Sequence, residues 1–384
     1  MTTSVSDFGR PSSLDIRHSS LPGNLVATNA ELSTLLPHIE SVARVAIDTE
    51  ADSLHCYREK LCLLQISLAD TTGTRAVRDF LVDPLADVDL APLRTALENR
   101  QIVLHGADFD LRLLRRSLDF RARKIFDTVI AARLLGIREF SLAALVERFF
   151  GVKLTKGSQK ANWAQRPLSP RMAEYAVNDT HYLLPLAEKL EAELRERNRI
   201  DWFEQSCQRA LEQAAVSRVR DVEDAWRIPG AGVLRGKAAA VLRALWQWRE
   251  KEAEAVDRPP FHILQNRELL AAAESFVAGG KPDFAHFSAR RRRAFREAAE
   301  EALQSPEESW PQPRPRLGKR RSAEMRERAE ELKRRRDRGA LQLELEPQFV
   351  APRAALEALA ANETNADGLL VPWQRELLGI NSKF

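Results

Sequence analysis

Two acidic residues with the spacing of metal ligands lie at the end of the apolar run RVAIDTE. Asp48 and Glu50 are two positions apart, so in a strand both carboxylates project from the same face. Two neighbouring carboxylates repel each other unless a cation lies between them. Hard divalent ions such as Mg²⁺ and Mn²⁺ prefer oxygen ligands of this kind. The alternative interpretation is a solvated strand end that carries two acids by chance.

The sequence HGADFDL places two further acids at the start of a helix that follows the apolar run QIVLHGA. We expect Asp110 to lie just inside this helix, with Asp108 as the other candidate ligand. Asp108 could instead cap the helix N-terminus, and Asp110 could simply stabilise the first turn through the helix dipole. A metal-binding role for Asp110 therefore depends on the other acids.

A third group of polar residues occurs in the sequence EYAVNDTHYLLPL. Tyr175 and Asp179 are four positions apart, so on a helix they share one face, about one turn apart. Asp179 could give a carboxylate to a metal ion, and the Tyr175 hydroxyl could hold a water molecule at the same site. The alternative is that Tyr175 is a core aromatic residue and Asp179 is a solvated acid.

The elements that must position these residues form an alternating pattern between about residues 24 and 205. Four apolar runs predict strands: RVAIDTE, LCLLQISLAD, AVRDFLVDPL and QIVLHGA. Helical spacing follows at 128–136 and 141–150, and a long helix is expected from about 170 to 198, with Ser169 as its N-cap and Pro170 in the first position. Strands that alternate with helices predict an α/β domain.

After residue 205 the pattern becomes helical, with breaks at IPGAG, DRPP and AGGKPD. The length of 384 residues suits two or three domains. We predict a disordered N-terminus, an α/β domain, a helical domain, a proline-rich linker and a further helical unit, at residues 1–20, 21–205, 212–292, 305–318 and 319–384.

The net charge of +4 is unevenly distributed. Residues 314–338 contain 12 Lys/Arg and 5 Asp/Glu, a local charge of +7, which leaves −3 for the remainder. Such a segment could contact a phosphate backbone, or it could be a solvated helix, since its acids and arginines are interleaved.

Three scattered cysteines, Cys56, Cys62 and Cys207, indicate neither a disulfide framework nor a zinc site. We find no signal peptide and no apolar run long enough to cross a bilayer, so we expect a cytoplasmic protein with no membrane association.

Taken together, D-x-E, D and Y-x₃-D in this order resemble the exonuclease superfamily named for its DEDD acids, in the branch with a tyrosine in the third motif. That branch includes ribonuclease D, the exosome exonuclease, the Werner-type exonuclease and polymerase proofreading domains. The resemblance covers about residues 24–200. HGADFDL, the IFDT of Ile125–Thr128 and the run from Trp163 through RPLSP to YLLPL favour ribonuclease D and its eukaryotic relatives. The implied fold is a ribonuclease H-like exonuclease domain with a mixed sheet.

The helical region is similar to the HRDC domain, a small nucleic-acid-binding module of ribonuclease D and RecQ-type helicases. The similarity is carried by IPGAGVLRGKAAAVLRALWQWREKEAEAVDRPPFHILQNRELL. Residues 319–384 could be a second HRDC-like unit, judged by helix rhythm and the closing WQRELLG. The alternative for both is a helical scaffold without direct nucleic-acid contacts.

The resemblance implies metal-dependent 3′→5′ hydrolysis that releases mononucleotides. Two Mg²⁺ or Mn²⁺ ions would be held by Asp48, Glu50, Asp110 and Asp179, with Tyr175 orienting the attacking water. The expected substrate is RNA with a free 3′ end, tRNA precursors above all, and no obligate protein partner is expected. A DNA-repair exonuclease acting on single-stranded DNA and a non-catalytic binding module are the alternatives. His105 and Gln65 are expected near the site, and for His105 we favour a structural role.

Overall fold

The computed structural model describes residues 24–70, 76–155, 157–216, 222–313, 322–362 and 366–380. The predicted disordered N-terminus and residues 314–318 of the predicted linker lie outside these ranges.

A six-stranded mixed sheet forms the centre of the N-terminal half. Its strands are β1 (Leu25–Val26), β2 (Arg44–Ala51), β3 (Leu61–Ala69), β4 (Val77–Val82), β5 (Gln101–Leu104) and β6 (Lys124–Asp127), in the spatial order β1-β4-β3-β2-β5-β6. β2, β3 and β4 are antiparallel neighbours, whereas β5 and β6 run parallel to β2 and β1 runs parallel to β4. The mixed sheet expected from the sequence is confirmed.

Helices cover both faces of this sheet. They are α1 (Asn29–Glu40), α2 (Ala91–Glu98), α3 (Asp108–Leu118), α4 (Thr128–Leu134), α5 (Leu142–Phe150), α6 (Pro170–His181), α7 (Leu183–Glu196) and α8 (Ile200–Ala215). The Ser169 side chain accepts a hydrogen bond from the Met172 amide, 3.2 Å away, and Pro170 is the first helical residue, as predicted.

The single helix expected at 170–198 is wrong, because Tyr182 separates it into α6 and α7. Pro185 explains the break. Its ring would clash with the carbonyl of His181 in a continuous helix, and it has no N–H to donate. The prediction also missed the strands β1 and β6 and the helices α1 and α2.

Two helical groups follow. The first contains α9 (Gly236–Ala255), α10 (Pro260–Ile263), α11 (Asn266–Val277) and α12 (Ala289–Gln304) around its own apolar core. The second contains α13 (Ala323–Leu343), α14 (Pro347–Val350), α15 (Arg353–Ala361), α16 (Ala366–Leu369) and α17 (Pro372–Leu377).

The C-terminal group packs on the α/β domain, a point that the sequence left open. The rings of Trp202 in α8 and Trp373 in α17 stack with their centroids 5.0 Å apart. Arg133 in α4 forms a 2.8 Å ion pair with Glu346. This group is therefore joined to the domain by apolar and charged contacts together.

The three cysteines are free and buried. Among the helices of the described ranges, none is long and apolar enough to cross a bilayer.

Candidate active site

The carboxyl end of β2 carries Asp48 and Glu50 beyond the point where β5 stops pairing. β5 pairs with Arg44–Ala46 only, so the next residues of β2 are open on that side. Asp48, Glu50 and Asp179 each offer a carboxylate oxygen, and these three oxygens all lie within 4.8 Å of one another. The structure therefore brings the first and third acidic motifs together.

Asp110 reaches the same place from α3. Its Oδ1 accepts hydrogen bonds from the Thr49 amide, at 3.1 Å, and from the Thr49 hydroxyl, at 2.5 Å. Thr49 lies between Asp48 and Glu50 in β2, so this contact fixes Asp110, which is only 5% exposed, beside the other acids.

Asp108 lies apart from the cluster. Its side chain is 62% exposed and forms an ion pair with Arg112 one turn along α3. The expectation that Asp108 could cap the helix is wrong, because Ala107 is the N-cap residue and no side chain bonds to the first turn.

Helix α6 holds Asp179 and Tyr175 over the same face of the sheet. Ala173 and Ala176 pack with Leu63 of β3 in one apolar cluster. The Ser67 hydroxyl donates to Thr180 Oγ1 at 2.7 Å, which fixes the turn of α6 that contains Asp179. Tyr175 is half-buried, with its ring centroid 6.0 Å from that of Trp163.

The acids of this cluster resist ionisation. Burial, followed by the negative charges of the neighbouring acids, raises the pKa of Asp48 well above its usual range. The same causes raise the pKa of Glu50 to about 9. Burial above all raises the pKa of Asp110 to about 6 and that of Asp179 to about 7.

Cations do not offset this repulsion in the part of the chain that the structure describes. There, Asp48, Glu50, Asp110 and Asp179 form no ion pair with Lys, Arg or His, in contrast to many other acids of the domain. Clustered and at least partly buried carboxylates without a counter-charge suit a divalent cation, which would replace the protons on these groups.

The two neighbours expected at the site differ in their surroundings. His105 Nδ1 lies 2.8 Å from Thr128 Oγ1, which in turn donates to the Leu104 carbonyl at 3.1 Å. Burial lowers the pKa of His105. Gln65 is fully buried, directly across from Asp48 in the β2–β3 pair.

Two contacts that hold parts of the site in place were not predicted from the sequence. Thr49 holds Asp110, and the only sequence signal was its place between two acids. Arg166 binds Asp83 and the Cys62 carbonyl, which anchors the segment preceding α6 to the sheet. The RPLSP run contained this arginine, but its partner is 83 residues away.

Comparison with known proteins agrees with this geometry. Residues 24–195 match the family described as 3′-5′ exonuclease, and residues 238–277 match the HRDC domain. Ribonuclease D of Zymomonas mobilis is 32% identical over 257 residues, which are 65% of this chain and 63% of that protein. This chain thus covers less than two thirds of that relative's length.

Solved structures share the fold. A protein from Bifidobacterium adolescentis has a TM-score of 0.77 at 22% identity, over 92% of this chain and 94% of its own. Escherichia coli RNase D has a TM-score of 0.67 at 23% identity, over 94% of this chain and 99% of its own.

The fold, the acidic site and the family matches define a 3′–5′ exonuclease domain at residues 24–195, followed by an HRDC domain at residues 238–277. Over 257 residues the chain is similar to ribonuclease D, so the resemblance expected from the sequence motifs is confirmed.

Proposed function

We propose that this protein is a metal-dependent 3′→5′ exoribonuclease that releases mononucleotides from RNA. The observation that carries the proposal is the convergence of Asp48, Glu50, Asp110 and Asp179 in a partly buried cluster that lacks a paired cation among the described residues. The match of residues 24–195 to the 3′–5′ exonuclease family supports the direction of hydrolysis.

The four acids would hold two Mg²⁺ or Mn²⁺ ions. When bound, such ions supply an acidified water and neutralise charge that develops on the scissile phosphate. Asp48, Glu50 and Asp179 are arranged so that one oxygen from each can reach a shared ion. Asp110 Oδ1 is already occupied by Thr49, so its other oxygen, Oδ2, is the one left for an ion.

Tyr175 would orient the attacking water through its hydroxyl. Burial and the adjacent negative charges of Asp179 and Glu50 raise the pKa of Tyr175 beyond its usual value near 10. The phenol therefore keeps its proton at neutral pH, which supports a role as a hydrogen-bond donor or acceptor over a role as general base.

The preference for RNA and for structured substrates such as tRNA precursors rests on relatives. The Zymomonas mobilis relative is a ribonuclease D, and the HRDC domain offers a second surface for nucleic acid. The bound substrate would place its free 3′ end at the acids, with upstream nucleotides directed to other surfaces of the chain.

The test is a Mg²⁺ titration with 5′-labelled RNA and with DNA of the same sequence. We expect stepwise shortening of RNA from the 3′ end, and a loss of at least about a thousandfold in rate for Asp48→Asn or Asp179→Asn, because both ions need these ligands. Circular dichroism should show that the variants remain folded.

Asp108→Asn is the matched control, since it neutralises an exposed acid two residues from Asp110. This variant should degrade RNA at the wild-type rate, whereas Asp110→Asn should not. Wild-type activity in Asp48→Asn would refute the metal assignment, and faster shortening of DNA than of RNA would refute the proposed substrate.

A further inference from the structure

Gln65 is a buried polar residue without a visible partner. It is 0% exposed, and within the described ranges neither Oε1 nor Nε2 has a hydrogen-bond partner. An unsatisfied buried amide destabilises a protein, because its bonds to water are lost and not replaced. Such a group in a folded protein therefore calls for a specific explanation.

The register of the sheet places Gln65 next to Asp48. The two residues are direct partners in the antiparallel pair of β2 and β3. Side chains of such partners share a face, with their Cβ atoms about 4.5–5.5 Å apart. The amide of Gln65 and the carboxyl group of Asp48 therefore occupy neighbouring positions on the face that carries the cluster.

Helix α6 covers Gln65 from above. Leu63, two residues before it, packs with Ala173 and Ala176, and Ser67, two residues after it, bonds to Thr180. Gln65 thus lies beneath the turn of α6 that carries Asp179. Asp48 and Asp179 are both acids to which the proposed function assigns metal binding.

We propose that Gln65 is a positioning residue whose Nε2–H group donates to the carboxylate of Asp48 when that carboxylate is ionised and holds a divalent cation. The inference rests on the proposed function. A hydrogen bond to a charged acceptor is about twice as strong as one between neutral groups. Partners of this kind orient metal ligands, and their loss weakens metal binding by about 10- to 100-fold.

Gln65→Met tests this role because methionine has a similar length and shape but lacks the amide. In protein freed of divalent ions, we expect a thermal midpoint equal to or above that of the wild type, because two unsatisfied polar atoms are removed. In isothermal titration with Mg²⁺ alone, without RNA, we expect the dissociation constant to rise about tenfold.

Leu64→Met is the matched control. Leu64 is the residue before Gln65 in β3 and is equally buried, but it faces the opposite apolar cluster. This variant should lower the thermal midpoint slightly, with and without Mg²⁺, and leave the dissociation constant unchanged.

In activity assays, Gln65→Met should need about tenfold more Mg²⁺ for half-maximal rate, with the KM for RNA unchanged.

A purely structural role for Gln65 predicts the reverse pattern: a lower thermal midpoint in the ion-free protein and an unchanged Mg²⁺ dissociation constant. That result, repeated in Gln65→Leu, would overturn the inference and leave the proposed function intact. If the wild-type protein itself bound no divalent ion, the metal site of the proposed function would fall, and the role of Gln65 with it.

Discussion

Buried or partly buried carboxylates occur in two settings within the α/β domain, which differ in whether hydrogen-bond donors and cations surround them. Outside the cluster, Asp83 receives Arg166 Nε and a terminal guanidinium nitrogen, both at 2.6 Å. Asp127 accepts from the backbone amides of Gly106 and Ala107, at 3.1 and 2.9 Å, and from α4. Within the cluster, by contrast, Asp48, Glu50 and Asp179 share one small volume.

The pKa values of Asp83 and Glu50 differ in the same way. Burial alone would raise the pKa of Asp83, but the hydrogen bonds and charge of Arg166 outweigh it and hold the pKa below its usual range. For Glu50, nothing opposes burial and the charges of Asp179 and Asp110, and its pKa rises to about 9. The fold therefore satisfies its structural acids internally and leaves the cluster dependent on a cation from solution.

The largest expected effect is a fall in stability with rising pH in protein stripped of divalent ions by a chelator. The folded pKa values of about 6 for Asp110, 7 for Asp179 and 9 for Glu50 exceed those of an unfolded chain, near 4. Between about pH 4 and pH 9 the folded state holds more protons, so each group loses stabilising free energy as the pH rises. Thermal midpoints measured across this window should decline.

Mg²⁺ sharpens the same comparison, because it binds the folded state and replaces protons on these acids. The rise in thermal midpoint on adding Mg²⁺ should therefore be larger at pH 8 than at pH 5. Glu50→Gln should make the decline shallower between pH 7 and pH 9. In this window folded Glu50 still holds a proton that the unfolded chain has released. A thermal midpoint that rose with pH in the presence of chelator would contradict the view that these acids lack a neighbouring cation.

The next effect concerns the satisfied acids. Arg166→Met should lower the free energy of unfolding by about 3 kcal/mol, because it leaves the Asp83 carboxylate buried without its counter-charge. It also removes donors to the Trp163 and Cys62 carbonyls. Urea denaturation monitored by tryptophan fluorescence measures this loss.

Lys160→Met is the control for Arg166→Met, since Lys160 is exposed in the same segment and its loss should change the free energy by at most about 0.5 kcal/mol. Equal stability of the two variants would show that the Arg166–Asp83 pair contributes nothing to the fold.

How far the sequence predicts this arrangement depends on how local each signal is. β2 to β5 were predictable because each lies in a run rich in apolar residues, and Ser169 and Pro170 formed a local helix-start signal. β1 has only 2 residues, and β6, with the sequence KIFD, has only two apolar residues, so neither forms an apolar run. Pro185 is a local signal that a helix cannot continue from α6 into α7, but the single predicted helix did not take it into account.

The choice between Asp108 and Asp110 could not be made from the sequence. Both acids lie in the first turn of α3, and only the contact with Thr49, 61 residues away, distinguishes them. For the same reason, the sequence could not predict that the Gln65 amide has no hydrogen-bond partner among the described residues. Which buried polar groups lack partners is a property of the packed structure, whereas the spacing of Asp48 and Glu50 is a property of one strand.

The smallest effect is expected for Tyr175→Phe, which separates the two interpretations of this residue. The ring packs near Trp163, and phenylalanine preserves that contact, so the free energy of unfolding should change by less than about 1 kcal/mol. The lost hydroxyl should lower kcat about tenfold, equivalent to about 1.4 kcal/mol, with KM for RNA nearly unchanged, because an orienting hydrogen bond acts mainly in the transition state. Steady-state kinetics at saturating Mg²⁺ measures both constants. A large loss of stability with an unchanged kcat would instead assign Tyr175 to the core, and the cluster would then consist of carboxylates alone.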